Sequence, residues 1–202
     1  MRPKHYLLLG VVLLAGIAAV LVVAFTRPTS YQGSLIDPPL PASEFQLINQ
    51  DGNPVSLSDL RGEENKVVMI FFGYTHCPDV CPATLANFKQ VKASLDKKAD
   101  QVAFVFISVD PERDTTAEIG QYLKKFDASF VGLTGTRAQL EPVWKDYLVS
   151  QAKSPGTQDY AVEHSTYVYA IDRQGNLRLT YAYGSGAQEM TQDVAQLLKE
   201  KP

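Results

Sequence analysis

Two apolar runs constrain this chain more than any other feature. Residues 66–72 read KVVMIFF and residues 101–109 read QVAFVFISV. Each is nearly continuous, which suits a strand covered on both faces rather than one with a wet side. Between them, residues 82–95 carry Leu85, Phe88, Val91 and Leu95 at helical spacing, with Lys89 and Lys92 on the opposite, solvent-facing side. Strand, helix and strand in that order point to α/β layering.

The flanking stretches extend the pattern. Residues 45–57 read as a short hairpin turning at Asp51-Gly52-Asn53. Residues 115–126 predict a helix with Thr115 as N-cap and Glu118 completing a capping box. Residues 130–133 suit a short strand. Residues 136–148 suit a helix with Leu140, Val143, Trp144 and Tyr147 on one side, and Pro142 predicts a kink or restart within it. Residues 150–163 read as a polar loop. Strands over 166–171 and 177–183, joined at residues 172–176, make a second hairpin, and a helix over 187–199 closes the chain. Tyr167, Tyr169, Tyr181 and Tyr183 fall at period two on these strands, so sheet packing explains them. Together the elements predict an α/β sandwich with a mixed sheet over residues 44–202.

Residues 6–25 contain no charged side chain. At 1.5 Å per residue, about 20 residues cross the ~30 Å hydrocarbon layer. A cleaved signal carries a shorter apolar core of ~7–15 residues and a small-residue cleavage site. Residues 1–27 are therefore expected to be an uncleaved transmembrane helix. Arg2 and Lys4 precede the span, which puts the N-terminus in the cytoplasm and the body outside. A bacterial inner-membrane protein facing the periplasm fits this layout. Residues 28–43, with Pro28, Pro38, Pro39 and Pro41, read as a semi-rigid linker. The chain carries −3 overall and residues 1–27 carry +3, leaving −6 on the rest. An acidic body excludes a nucleic-acid partner, which needs a basic face.

The chemistry concentrates at Gly73-Tyr74-Thr75-His76-Cys77-Pro78-Asp79-Val80-Cys81-Pro82. The two cysteines of the chain both lie here, where a buried strand ends and a helix opens. That is the edge at which open α/β sheets bind ligands. On a helical turn, positions four apart share a face, with Cβ atoms ~5–6 Å apart. Two sulfurs so placed can reach one metal ion or, with local adjustment, form a disulfide. A helix N-terminus favours the thiolate. Soft thiolates suit Cu(I) or zinc, and a structural zinc site asks for four protein ligands. His76 adjoins Cys77, but neighbouring side chains point apart. By position alone, His164 is an ordinary loop or strand-end histidine.

Three segments together resemble the SCO/SenC family of copper chaperones: the Gly73–Pro82 run, Ser108-Val109-Asp110-Pro111-Glu112-Arg113-Asp114-Thr115, and Glu163-His164-Ser165-Thr166. The resemblance covers about residues 40–200. It implies a thioredoxin-like fold behind an N-terminal membrane anchor. It also implies copper held by Cys77, Cys81 and His164. The partner it implies is the copper-bearing subunit of cytochrome c oxidase, whose CuA centre the family supplies with copper or keeps reduced. Other copper chaperones or thiol reductants are the further expected partners. The Asp110–Asp114 segment reads either as a helix-capping turn or as a part of the site.

Binding and transfer of copper, without turnover as an enzyme, is the first functional expectation. The alternative is a thiol–disulfide oxidoreductase in which Cys77 or Cys81 attacks a target disulfide; such chemistry does not need His164. A peroxiredoxin-like peroxidase is a third reading, and the three-residue gap between the cysteines speaks against it.

Overall fold

The computed structural model describes residues 30–154 and 160–201, together with Leu13 and Gly16. Apart from those two positions, the expected anchor over residues 1–27 lies outside the described residues. Among the described residues no helix is long and apolar enough to cross a membrane. The chain divides into a unit over Met1–Ser30 and one over Tyr31–Pro202, and the second contains the sheet and its helices.

The central strands are β4 (Val67–Gly73) and β5 (Val102–Ser108), paired in parallel from Val67↔Val102 to Gly73↔Ser108. All seven residues of β4 are buried, as a strand covered on both faces requires. Strand β6 (Val131–Thr134) extends the parallel set beside β5, and β9 (Val168–Ile171) runs antiparallel on the other side of β4. Strand β10 (Asn176–Tyr181) pairs with β9, and the hairpin β2 (Gln46–Asn49) and β3 (Pro54–Ser56) pairs with β6 through β2. With an edge strand β1 (Ser34–Pro41) beside β10, the mixed sheet has the order β1-β10-β9-β4-β5-β6-β2-β3.

Successive side chains of a strand leave on opposite faces. Phe71 accordingly meets Phe106 and His164, while Phe72 meets Tyr147 and Tyr169. On the Phe71 side lies helix α2 (Val80–Leu95), whose Phe88 packs on Phe104 and Phe130, with α5 (Ala187–Leu197) beside it. Helix α3 (Thr116–Leu123) also covers this face, its Tyr122 ring against Phe106; its N-cap is Thr115, with the Glu118 capping box formed. On the Phe72 side Tyr147 follows helix α4 (Arg137–Asp146). Each fully buried phenylalanine stabilises the layers by roughly 1.5–3 kcal/mol.

The structure departs from the expectations in four places. Residues 34–41 of the expected linker form an edge strand, β1 (Ser34–Pro41), paired with β10. Proline lacks an N–H, so it reads as a spacer, yet an edge strand tolerates it where the ladder is irregular, here between Leu35 and Leu40. The buried Asp193 carboxylate anchors its start by accepting from the Gln32 and Gly33 amides at 2.9 and 2.8 Å. A five-residue helix, α1 (Leu57–Arg61), follows β3, with Ser56 and Asp59 forming a capping box. Helix α4 carries Pro142 within one continuous run, so of the expected kink or restart the restart does not occur. The polar stretch read as a loop contains a separate two-stranded ribbon, β7 (Gln151–Lys153) with β8 (Val162–His164).

Candidate metal centre

Strand β4 ends at Gly73, a short loop follows, and α2 opens at Val80. Cys77 lies in the loop, half-buried, and Cys81 in the first turn, fully buried; both are free thiols. The N-cap Asp79 makes no side-chain cap bond. The acceptor role falls instead to Cys77 Sγ, which receives the Cys81 N–H at 3.4 Å. The Cys77 amide in turn donates to the Tyr74 carbonyl at 3.2 Å. Gly73 leaves room for this arrangement: a Cβ there would stand 2.9 Å from Cys81 Sγ and 2.8 Å from the Phe106 ring.

The two thiols are driven apart electrically. The Cys77 thiol lies well below the ordinary cysteine range, chiefly because the Cys81 thiol donates to it, with help from His164 and the Cys81 amide, while burial opposes the shift. The Cys81 thiol is pushed up, first by its bond to Cys77 and then by burial. The half-open Cys77 is thus the more readily ionised of the two and the buried Cys81 the less.

His164 ends β8, and the ribbon brings its ring to the sulfurs. Nε2 stands 3.9 Å from Cys81 Sγ. Nδ1 is 2.8 Å from the Ser165 carbonyl oxygen. A carbonyl only accepts, so Nδ1 donates to it, which turns Nε2 towards the sulfurs. Phe71 and Tyr74 hold the ring edge-on at 6.2 and 5.8 Å between centroids. Two atoms bound to one ion at ~2.0–2.3 Å lie roughly 3.5–4 Å apart at trigonal or tetrahedral angles, which matches the sulfur–nitrogen separation. Among the described residues, no three His, Cys, Asp or Glu side chains are already drawn into a closed metal cage. Cys77, Cys81 and His164 are neighbours at the carboxyl end of β4 but do not form such a group as they stand. His76 is exposed and its Nδ1 lies 3.0 Å from Thr75 Oγ1.

Sequence reasoning left the supporting residues unassigned. Asp114 is fully buried. Its carboxylate accepts from the Thr75 amide (3.1 Å), the Thr75 hydroxyl (2.7 Å) and the Ser108 hydroxyl (2.6 Å), fixing the cysteine loop to the end of β5. Burial raises its pKa against those bonds. Helix capping in this segment is done by Thr115 and Glu118, which leaves the carboxylates of Asp110 and Asp114 to the site. In the sequence this segment stands out as one of the three motifs of the family resemblance and reads either as a helix-capping turn or as a part of the site, without showing which side chains serve.

Known proteins resemble this chain along most of its length. A family model described as SCO1/SenC matches residues 35–199. An SCO2-like protein of Rickettsia conorii is 35% identical over 150 residues, spanning 73% of this chain and 72% of the relative. Bradyrhizobium japonicum ScoI with copper bound superposes with a TM-score of 0.71 at 39% identity, covering 77% of this chain and 98% of that one. Arabidopsis thaliana ScoI with copper bound gives 0.73 at 32% identity, covering 80% and 99%. The mixed α/β sheet is thus the thioredoxin-like fold of the Sco structures. The chain belongs to the SCO1/SenC family.

Proposed function

We propose that this protein binds copper through Cys77, Cys81 and His164 and passes it on in the maturation of the CuA centre of cytochrome c oxidase. One observation carries the reading: His164 Nε2, turned inward by the Nδ1 bond to the Ser165 carbonyl, faces Cys81 Sγ at 3.9 Å. Two sulfurs and one imidazole form a soft set of three, which suits Cu(I) and falls short of the four ligands of structural zinc. Copper is cargo here. Cys77 is half-buried and thiolate-prone, so an incoming donor or acceptor thiolate can exchange at that edge while Cys81 and His164 retain the ion. The relatives solved with copper bound support the choice of metal. The expected partner is the copper-bearing subunit of the oxidase, with other copper chaperones or thiol reductants upstream. Residues 1–27 anchor the chain in the bacterial inner membrane, and the body faces the periplasm.

A Cu(I) titration of the reduced full-length chain against a competing chelator tests the reading. His164→Ala is expected to weaken binding by more than about 10-fold, the lower end of what even outer-shell changes cost, with both thiols still titratable. Unchanged affinity in that variant contradicts the three-ligand set.

The depressed Cys77 thiol beside a buried Cys81 favours one second reading, a thiol–disulfide oxidoreductase that keeps the oxidase cysteines reduced. His164→Ala separates the two, because disulfide reduction then survives while copper binding falls.

A further inference from the structure

The ribbon β7–β8 pairs with itself and stands outside the main sheet, so no ladder of the main sheet sets where His164 sits. Side-chain contacts add to the backbone bond from Ser165 to Ser150 at its base. A dense cluster lies against this ribbon. Asp110 is fully buried, and Arg113 Nε donates to its Oδ2 at 2.5 Å. The Tyr160 hydroxyl donates to Asp110 Oδ1 at 2.6 Å, and Lys153 Nζ lies 3.7 Å from the same oxygen. The Arg113 guanidinium carbon is 3.7 Å from the Tyr160 ring centroid and 5.7 Å from that of Tyr74. The Tyr74 ring then stands edge-on to His164.

Arg113 therefore lies against Tyr160 on the ribbon side and within cation–π reach of Tyr74 in the cysteine loop. A buried carboxylate–guanidinium pair is a weak source of net stability, since desolvation offsets much of the attraction; its use is to fix geometry. Asp110 and Asp114 sit one turn apart, and the Asp114 amide donates to the Asp110 carbonyl at 2.9 Å. One short segment thus holds the cysteine loop through Asp114 and the histidine ribbon through Asp110 and Arg113.

We propose that Arg113, held by Asp110, is a positioning residue that places His164 over the cysteine pair by clamping the ribbon through Tyr160 and Tyr74. This rests on the three-ligand copper reading. Arg113 does not touch the ion. Without it, the ribbon loses its planar anchor, His164 drifts from Cys81, and copper is left with the two sulfurs. Lysine at 113 keeps the charge pair and loses the flat stacking on tyrosine.

The test is a double-mutant cycle in Cu(I) affinity, read by chelator competition on full-length wild type, Arg113→Ala, His164→Ala and the double variant. Arg113→Ala is expected to weaken binding about 10-fold, in the range of outer-shell effects, and to cause no further loss once His164 is alanine. Arg113→Lys is expected to fall between wild type and Arg113→Ala. Weakening by His164→Ala with no effect of Arg113→Ala overturns the clamp, and so does an equal Arg113→Ala effect in both backgrounds. No effect of His164→Ala overturns the underlying copper reading instead. If Arg113→Ala does not fold, the same cycle with Tyr160→Ala decides by the same criteria.

Discussion

A Cβ placed on Gly73 would come within 2.9 Å of Cys81 Sγ. The glycine therefore holds the space in which the buried thiol sits. The same Cβ would stand 2.9 and 2.8 Å from the Phe71 and Phe106 rings, so it would press on packed aromatics as well as on the sulfur. Gly73→Ala is expected to destabilise the fold by about 1–3 kcal/mol, as overpacking does, and to weaken copper binding as Cys81 is displaced. Urea unfolding of the metal-free chain and a copper titration measure the two effects.

The two cysteines are predicted to differ in what they do for the fold. Cys81 is fully buried and Cys77 half-buried. Cys81→Ser places a more polar hydroxyl in the buried core that Cys81 shares with Phe71, Phe106 and Leu85, at a cost of roughly 1–3 kcal/mol. Cys77→Ser is expected to leave metal-free stability within about 0.5 kcal/mol of wild type, as mildly exposed substitutions do. Both variants lose copper binding. Thermal unfolding of the three metal-free proteins, paired with copper titrations, separates the roles.

Asp114 answers three donors from two elements. Asp114→Ala orphans the Ser108 hydroxyl and the Thr75 amide, and each buried donor left unpaired costs about 1–3 kcal/mol. A loss of about 2–4 kcal/mol follows for the metal-free chain, together with weaker copper binding as the cysteine loop loosens. Asp114→Ala that binds copper like wild type would show that Thr75 does not position Cys77.

The Glu112 carboxylate is held down to about 2; burial opposes the shift, and the Lys153 and Arg137 side chains bonded to it at 3.0 Å outweigh that. A depressed carboxylate adds stability that is present above its unfolded value, near 4.3, and is lost as pH falls towards 2. Wild type is thus expected to exceed Glu112→Gln in stability at pH 7, and the difference is expected to shrink between about pH 4.5 and 2. Because Glu112 is well exposed, solvent screening keeps the difference below ~1 kcal/mol. Paired melting curves across pH measure it.

Local signals made part of this molecule readable from residues alone. The apolar runs of β4 and β5, the Thr115–Glu118 box and the hairpin from Val168 to Tyr181 are each written within a few neighbouring residues. Strand β1 was obscured by its prolines, whose meaning depends on whether an edge strand is free to take them. The ribbon β7–β8 is too short and polar to show a period, and its pairing joins residues 13 apart at Gln151↔His164. The cysteines were legible by spacing, whereas His164 came from family resemblance and from no local pattern. The clamp was invisible for a plainer reason: Tyr160 and Asp110 are 50 residues apart, and only the fold brings them together.

X-ray absorption of the Cu(I)-loaded full-length chain counts the ligands themselves. Two sulfurs and one imidazole nitrogen are predicted for wild type, with the nitrogen missing in His164→Ala and both sulfurs retained. A nitrogen shell that persists unchanged in His164→Ala, or a wild-type spectrum without two sulfurs, would contradict the account.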